Sequence, residues 1–173
     1  MHARAAGRRA ARRARGLLVR NLCADPRREG GGVRGVGMDD AVDVLETDEN
    51  AIRILLDELE NRTSDPLVFQ RIFKHYLRRE NALFFAAENG QKEIVGFISC
   101  LGQLLLHHEG LVFEIEELID TQTYQGKGIG QLLINQVREE LKPYDVKSIE
   151  VTSNKRRTQA HEFYKAVGFN NSH

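Results

Sequence analysis

The residues best suited to chemistry lie between positions 111 and 131. Gln125-Gly126-Lys127-Gly128-Ile129-Gly130-Gln131 places three glycines within five positions. Glycine has no Cβ, so such a loop turns tightly with its N–H groups left free to face outward. The amphipathic run Leu132 to Leu141 behind it predicts a helix. Its positive end and the loop amides then face the same way, as a seat for a phosphate or diphosphate. The spacing is not that of the nucleotide triphosphatases, because no Gly-Lys-Ser/Thr closes it. Nor is it a full Gly-x-Gly-x-x-Gly: counted from Gly128 and Gly130, the third position is Leu133. Upstream, the strand-like run Leu111 to Ile119 carries Glu114, Glu116 and Glu117. Unpaired charge inside an apolar strand is costly, so these acids are surface groups, partners of Lys or Arg, or functional. Strict alternation puts Glu114 and Glu116 on one face and Glu117 on the other.

These residues need a frame. Ala41 to Leu45 alternates like a short strand. Thr47 or Asp48 can cap a helix whose apolar face is Ala51, Ile52, Leu55, Leu56 and Leu59. Asp65-Pro66 starts a second helix, with face Phe69, Ile72, Phe73, Tyr76 and Leu77. Leu83 to Glu88 is a strand, Asn89-Gly90-Gln91-Lys92 a hairpin turn, and Ile94 to Leu101 the return strand, extendable to Leu106. Glu109-Gly110 turns the chain into Leu111–Ile119. Lys142-Pro143 ends the helix after the glycine loop. Ser148 to Thr152 is another strand. A last helix, from about Arg157 to Val167, carries Ala160, Phe163, Tyr164 and Val167 on one face and ends at Gly168. The predicted order is β-α-α-β-β-β-α-β-α: an α/β (α+β) fold with a mixed sheet, an antiparallel meander followed by a parallel pair that flanks the glycine-loop helix. Ligands of such sheets sit beyond the carboxyl ends of the parallel strands. That sets the glycine loop and residues Ser153 to Arg156 on one rim.

The chain has 173 residues, enough for one domain with a real core. Its formal charge of zero hides two unlike parts. Residues 1–37 hold ten of the 25 basic residues, all Arg, and only Asp25 and Glu29 among the 25 acids, leaving 15 bases against 23 acids in the remainder. The globular part is therefore acidic, and no nucleic-acid partner is expected there. Residues 1–37 are Arg/Ala-rich, then Gly-rich, and bury too little to order themselves. They are compatible with a basic disordered tail, with a transit peptide lacking Ser, or with a non-native extension before a true start at Met38; the abrupt loss of Arg at Met38 favours the last. Residues 38–173 form the predicted domain. No apolar run reaches membrane-spanning length. Cys23 and Cys100 lie in different parts, and Cys100, in an apolar strand, reads as a buried free thiol in a reducing compartment. Adjacent His107 and His108 on a strand would point oppositely and not share one ion easily; no metal ligand is assigned.

Two motif blocks in this order resemble the GNAT superfamily of acyl-CoA-dependent N-acyltransferases over about Val42 to Asn170. Gln125 to Gly130 fits its Arg/Gln-x-x-Gly-x-Gly/Ala loop. Asn154, Ala160, Phe163-Tyr164 and Gly168-Phe169 fit its Asn…Ala…Phe-Tyr…Gly-Phe block. His107-His108, Glu114 to Leu118, Thr152 to Arg157 and Ala160 to Tyr164 look further like the aminoalkylphosphonate N-acetyltransferases. One departure stands out. The family continues from Gly-Phe into another full strand, whereas this sequence ends at His173, so the strand is short or missing, or a partner such as a second copy completes the sheet.

The resemblance implies attack of a primary amine on the thioester of acetyl-CoA, the cosubstrate. An alkylamine has a pKa near ~10 and must react neutral, which makes a base useful. Glu116 is preferred narrowly over Glu114. The resemblance assigns the oxyanion to backbone N–H near Leu118–Ile119, where the family's strand bulges, and protonation of the leaving thiolate to Tyr164. Gln125 and the N–H groups of Gly126, Lys127, Gly128, Ile129, Gly130 and Gln131 are expected on the diphosphate, and Asn154 on the pantetheine arm or adenosine side. Arg156 and Arg157 are either partners of the 3′-phosphate or of an anionic substrate, or solvated charges. The phosphonate-acetylating relatives are associated with a divalent metal, which keeps a metal open. The expected function is cytoplasmic N-acetylation of a small amine, an aminoalkylphosphonate in the subfamily reading. Its rivals are a non-catalytic acyl-CoA-binding module and an acetyltransferase acting on a protein, a polyamine or an aminoglycoside.

Overall fold

The structure is a computed structural model and describes residues 40–153 and 157–170. The segment 1–37, the boundary at Met38, and Asn154 and Arg156 lie outside the described residues. Five strands form one sheet in sequence order: β1 (Asp40–Asp43), β2 (Ala82–Glu88), β3 (Ile94–Leu105), β4 (Gly110–Asp120) and β5 (Val146–Val151). The first four pair antiparallel, and β5 runs parallel to β4. The mixed sheet and the element order match the sequence expectation. Among the described residues no strand follows the last helix, so β5 pairs only with β4.

Helices cover both faces. α1 (Glu49–Glu60) and α2 (Pro66–Leu77) lie on one, packing Ile52, Leu55, Phe73 and Leu77 against Phe84, Ala86, Phe97 and Leu101. α3 (Ile129–Leu141) and α4 (Thr158–Ala166) lie on the other. There Ile129, Leu133, Ile134 and Val137 meet Phe85, Ala87, Ile98, Cys100 and Ile115. Successive residues of a strand point to opposite faces, so a strand covered on both sides is apolar throughout. Leu83-Phe84-Phe85-Ala86-Ala87 is such a run.

Local signals act with two amendments. Asp65 caps α2 as expected: its carboxylate accepts from the Leu67 and Val68 amides, with Pro66 at the first helical position. Asp48, however, does not cap α1 with its side chain. It turns back to accept from the Leu45 amide at 2.9 Å and closes the short 3₁₀ turn Glu46–Asp48. The β2–β3 hairpin falls at Asn89 but does not use Gly90 for the left-handed position. Lys92 takes that position at φ 66°, while Asn89 Oδ1 accepts from the Gln91 and Glu93 amides and fixes the turn.

α3 reaches the sheet over Gly96. A Cβ there would stand 2.5 Å from Ile129 Cγ2 and 3.1 Å from the Ile119 carbonyl oxygen. Gly96→Ala is therefore expected to destabilise the fold by about 1–3 kcal/mol through overpacking. Urea unfolding checks this: an unchanged or higher midpoint would show that α3 does not sit this close.

Candidate active site

β4 and β5 pair from Leu111–Val146 to Ile115–Val151 and then part. Beyond that pair the outer edge of β4 is not covered by β5. A cleft of about 830 Å³ opens there. It is walled by Ile115 to Asp120 of β4, the glycine loop and start of α3, the end of β5 to Ser153, the inner side of α4, and the last turn of α1. This is the carboxyl end of the parallel pair, the rim expected from the topology.

The glycine loop follows a 3₁₀ turn at Gln122–Tyr124. Gly126 and Gly128 sit at φ 75° and 85°, in the left-handed region where a Cβ is strained. Gly128 is the residue before α3 and offers no side-chain cap. The first amides of a helix have no acceptor within it, so those of α3 remain available to an anion beside the cleft. Gly130 has a different reason: a Cβ there would come within 2.8 Å of the Phe163 ring, so its absence lets α4 approach α3. Gln125, Gly126, Gly128, Ile129, Gly130 and Gln131 all line the cleft. Lys127 does not; its ammonium stands 4.7 Å from the centre of the Tyr124 ring, a cation–π contact.

The carboxylates are arranged differently from simple alternation. Ser99 pairs with Glu117 while Cys100 pairs with Ile115, so Glu116 is an extra residue on β4. This bulge lies before Leu118–Ile119, where it was expected; Leu118 and Ile119 pair regularly with Ile98 and Phe97 and still wall the cleft. The extra residue resets the alternation. Glu114 opposite Leu101 and Glu117 opposite Ser99 now share the α1–α2 face. Glu117 accepts from the Tyr76 hydroxyl at 2.8 Å and from the Ser99 hydroxyl, and Ser99 Oγ accepts in turn from the Glu117 amide. Glu116 faces the cleft. Partial loss of hydration, then the negative charges of Glu114 and Glu117, raise its carboxyl above the ordinary range, with Arg79 opposing. Glu114 accepts from Thr152 Oγ1 at 2.8 Å and does not line the cleft.

Tyr164 lines the cleft from α4, with ring-edge contacts to Phe163 and Phe169. Burial raises its phenol above the usual value, with Arg157 opposing, so the group is a neutral proton donor near pH 7. Cys100 is fully buried, and burial followed by the charges of Glu116 and Glu114 pushes its thiol up to about 12. It is a protonated core residue, not a nucleophile. His107 and His108 lie on a 3₁₀ turn, not a strand, and their rings approach to 4.3 Å between centroids instead of diverging. Among the described residues no three or more His, Cys, Asp or Glu side chains are grouped to hold a metal ion.

Several residues of this site escaped the sequence reading. Ser99 was the clearest missed signal, a hydroxyl inside the apolar run Phe97-Ile98-Ser99-Cys100-Leu101. Tyr76 counted only as an apolar face residue, yet its hydroxyl anchors Glu117. Ser153, by contrast, walls the cleft on the rim where the sequence sets it, with a buried Oγ that has no hydrogen-bond partner among the described residues.

Comparison with known proteins agrees with this geometry. Residues 48–169 match the model of the acetyltransferase (GNAT) family. The chain is 32% identical over 127 residues to an aminoalkylphosphonate N-acetyltransferase of Salmonella typhimurium, covering 73% of this chain and 81% of that protein. It is 34% identical over 98 residues to an uncharacterized N-acetyltransferase of Methanocaldococcus jannaschii, covering 56% of this chain and 43% of that one. Among solved structures, a transcriptional regulator from Bacillus halodurans superposes with a TM-score of 0.70 at 25% identity, over 79% of this chain and 95% of the other. An aminoglycoside 6'-N-acetyltransferase from Acinetobacter baumannii gives 0.69 at 14% identity over 79% and 93%, which shows the fold alone. With the family model spanning most of the domain, and the glycine loop, the parted strands and the cleft in place, the chain belongs to the GNAT family of acetyltransferases.

Proposed function

We propose that this enzyme moves the acetyl group of acetyl-CoA to the primary amine of a small molecule, with an aminoalkylphosphonate as the first acceptor to test. One observation carries the reading: a single cleft joins the glycine loop, the bulged segment of β4 and the Tyr164 phenol. The 32% identity to an aminoalkylphosphonate N-acetyltransferase supports the acceptor class. No described helix is long and apolar enough to cross a membrane, and the reading includes a cytoplasmic enzyme.

The chemistry follows from the residues. The loop amides and the α3 N-terminus hold the coenzyme diphosphate. A backbone N–H at Leu118–Ile119 serves the developing oxyanion; successive amides of a regular strand point to opposite edges, so of the two it is the Leu118 N–H that faces the uncovered edge of β4. Glu116 takes a proton from the attacking amine, directly or through water, as the C–N bond forms. Collapse of the tetrahedral intermediate breaks the C–S bond, and the Tyr164 hydroxyl passes its proton to the leaving sulfur. Glu116 suits the base role because its raised carboxyl stands closer to neutrality than an ordinary one. In this reading Glu114 supports the wall through Thr152, and Asn154 contacts the coenzyme.

A panel of aminoalkylphosphonates, polyamines, aminoglycosides and lysine peptides, assayed for free CoA with and without a divalent metal, tests the reaction and its acceptor. Release of CoA by no member would contradict it. Tyr164→Phe is expected to lower kcat by about 10²-fold or more while leaving acetyl-CoA affinity unchanged; equal turnover would remove the proton-donor role. The rate should fall as pH drops through the raised Glu116 pKa, because the protonated carboxyl cannot accept a proton. Glu116→Gln should erase that acid limb, leaving only the rise caused by ionisation of the amine near pH ~10. Persistence of the limb in the variant would reassign the base.

A further inference from the structure

A second space adjoins the cleft. Between α1 and α2 an apolar groove of about 90 Å³ runs down to the sheet, bounded by Leu56, Phe69, Ile72 and Phe97. Tyr76 and Glu117 are the polar residues of its lining. Leu56 and Glu117 also line the large cleft, so the two spaces share a wall made of one aliphatic side chain and one carboxylate. The carboxylate is fixed. Tyr76 and Ser99 both donate to its Oε2, and none of the described residues donates to Oε1. Tyr76 is itself held at 5.0 Å from the Phe84 ring. A carboxylate with one oxygen anchored and the other without a donor among the described residues, lining both an apolar groove and a coenzyme-sized cleft, suits a cation bearing a hydrocarbon arm.

We propose that this groove is the side-arm subsite of the acceptor: the amine rests on Oε1 of Glu117, and a short alkyl arm lies in the groove against Phe69, Ile72 and Phe97. The proposal rests on the N-acetyl-transfer reading and narrows it to primary amines with a compact aliphatic substituent. The volume is that of about three water-sized groups, enough for an arm of about three or four carbons. Apart from Tyr76 and Glu117, no lining side chain offers a hydrogen-bond partner to a hydroxylated or polycationic chain. Glu117 here is a binding and orienting residue; its contact with Tyr76 and Ser99 sets the height at which the nitrogen enters the cleft.

The test is an NMR titration of the full chain, saturated with CoA, using methylamine, ethylamine, propylamine and butylamine. Affinity should tighten about fourfold per added methylene and stop improving once the groove is full. Ile72→Trp, at an exposed position on α2, should cost butylamine at least about tenfold more than methylamine, on the scale of two to three methylenes. Glu117→Gln should weaken the whole series. Equal affinity along the series, or an equal loss for methylamine and butylamine in Ile72→Trp, would overturn the subsite. The readout is binding, so it separates the two ideas. A chain-length gradient without CoA release for any amine would sink acetyl transfer and keep the groove. CoA release with a flat series would do the reverse.

Discussion

Everything at this site depends on the loss of pairing between β4 and β5 after Ile115 and Val151. Up to that point the two strands form an ordinary parallel ladder. The next residue, Glu116, is also the extra residue in the register with β3. One position therefore ends the pairing on one side and shifts it on the other. A strand edge without a partner normally invites association; here it becomes the wall of a cleft, with backbone groups available to a ligand. The last paired residues before the parting, Ile115 and Val151, pack into the same core as α3.

The glycines show how one residue type serves separate demands. Gly126 and Gly128 supply backbone angles. Gly96 and Gly130 supply space, the first for α3 against the sheet and the second for Phe163 of α4 against α3. The first pair shapes the loop ahead of α3, and the second lets that loop and Tyr164 line one cavity. Asn89 adds a tether. Its Nδ2 donates to Glu93 and to the Tyr124 hydroxyl, linking the β2–β3 turn to the segment that enters the glycine loop. Packing and loop geometry are thus continuous with one another.

Much of this was legible in the sequence, for reasons that are local. Periodicity located the strands and helices, Asp65-Pro66 marked the start of α2, and the glycine spacing marked the tight loop ahead of α3. Glu117 was placed on the wrong face because alternation is a local rule, whereas a bulge belongs to the pairing of two strands. Only the register of Ser99 against Glu117 reveals it. Tyr76 escaped for a similar cause: its partner is 41 residues away, and its spacing on α2 marks only a helix face. Asp48 and the His107-His108 turn failed differently. There, short 3₁₀ segments took residues that simple rules give to a cap or a strand. The Lys127 ammonium lies over the Tyr124 ring, a contact that the glycine spacing does not indicate.

In the proposed reaction, loop amides and the N-terminus of α3 grip a diphosphate beside the β4 edge. Calorimetry with CoA and with pantetheine, which lacks the diphosphate and nucleoside, tests it most directly. One CoA should bind per chain, at least about 100-fold more tightly than pantetheine, a difference of about 2.7 kcal/mol. Gly128→Val should remove most of that difference by straining the loop. No CoA binding by the folded protein, or equal affinity for the two ligands, would contradict the account.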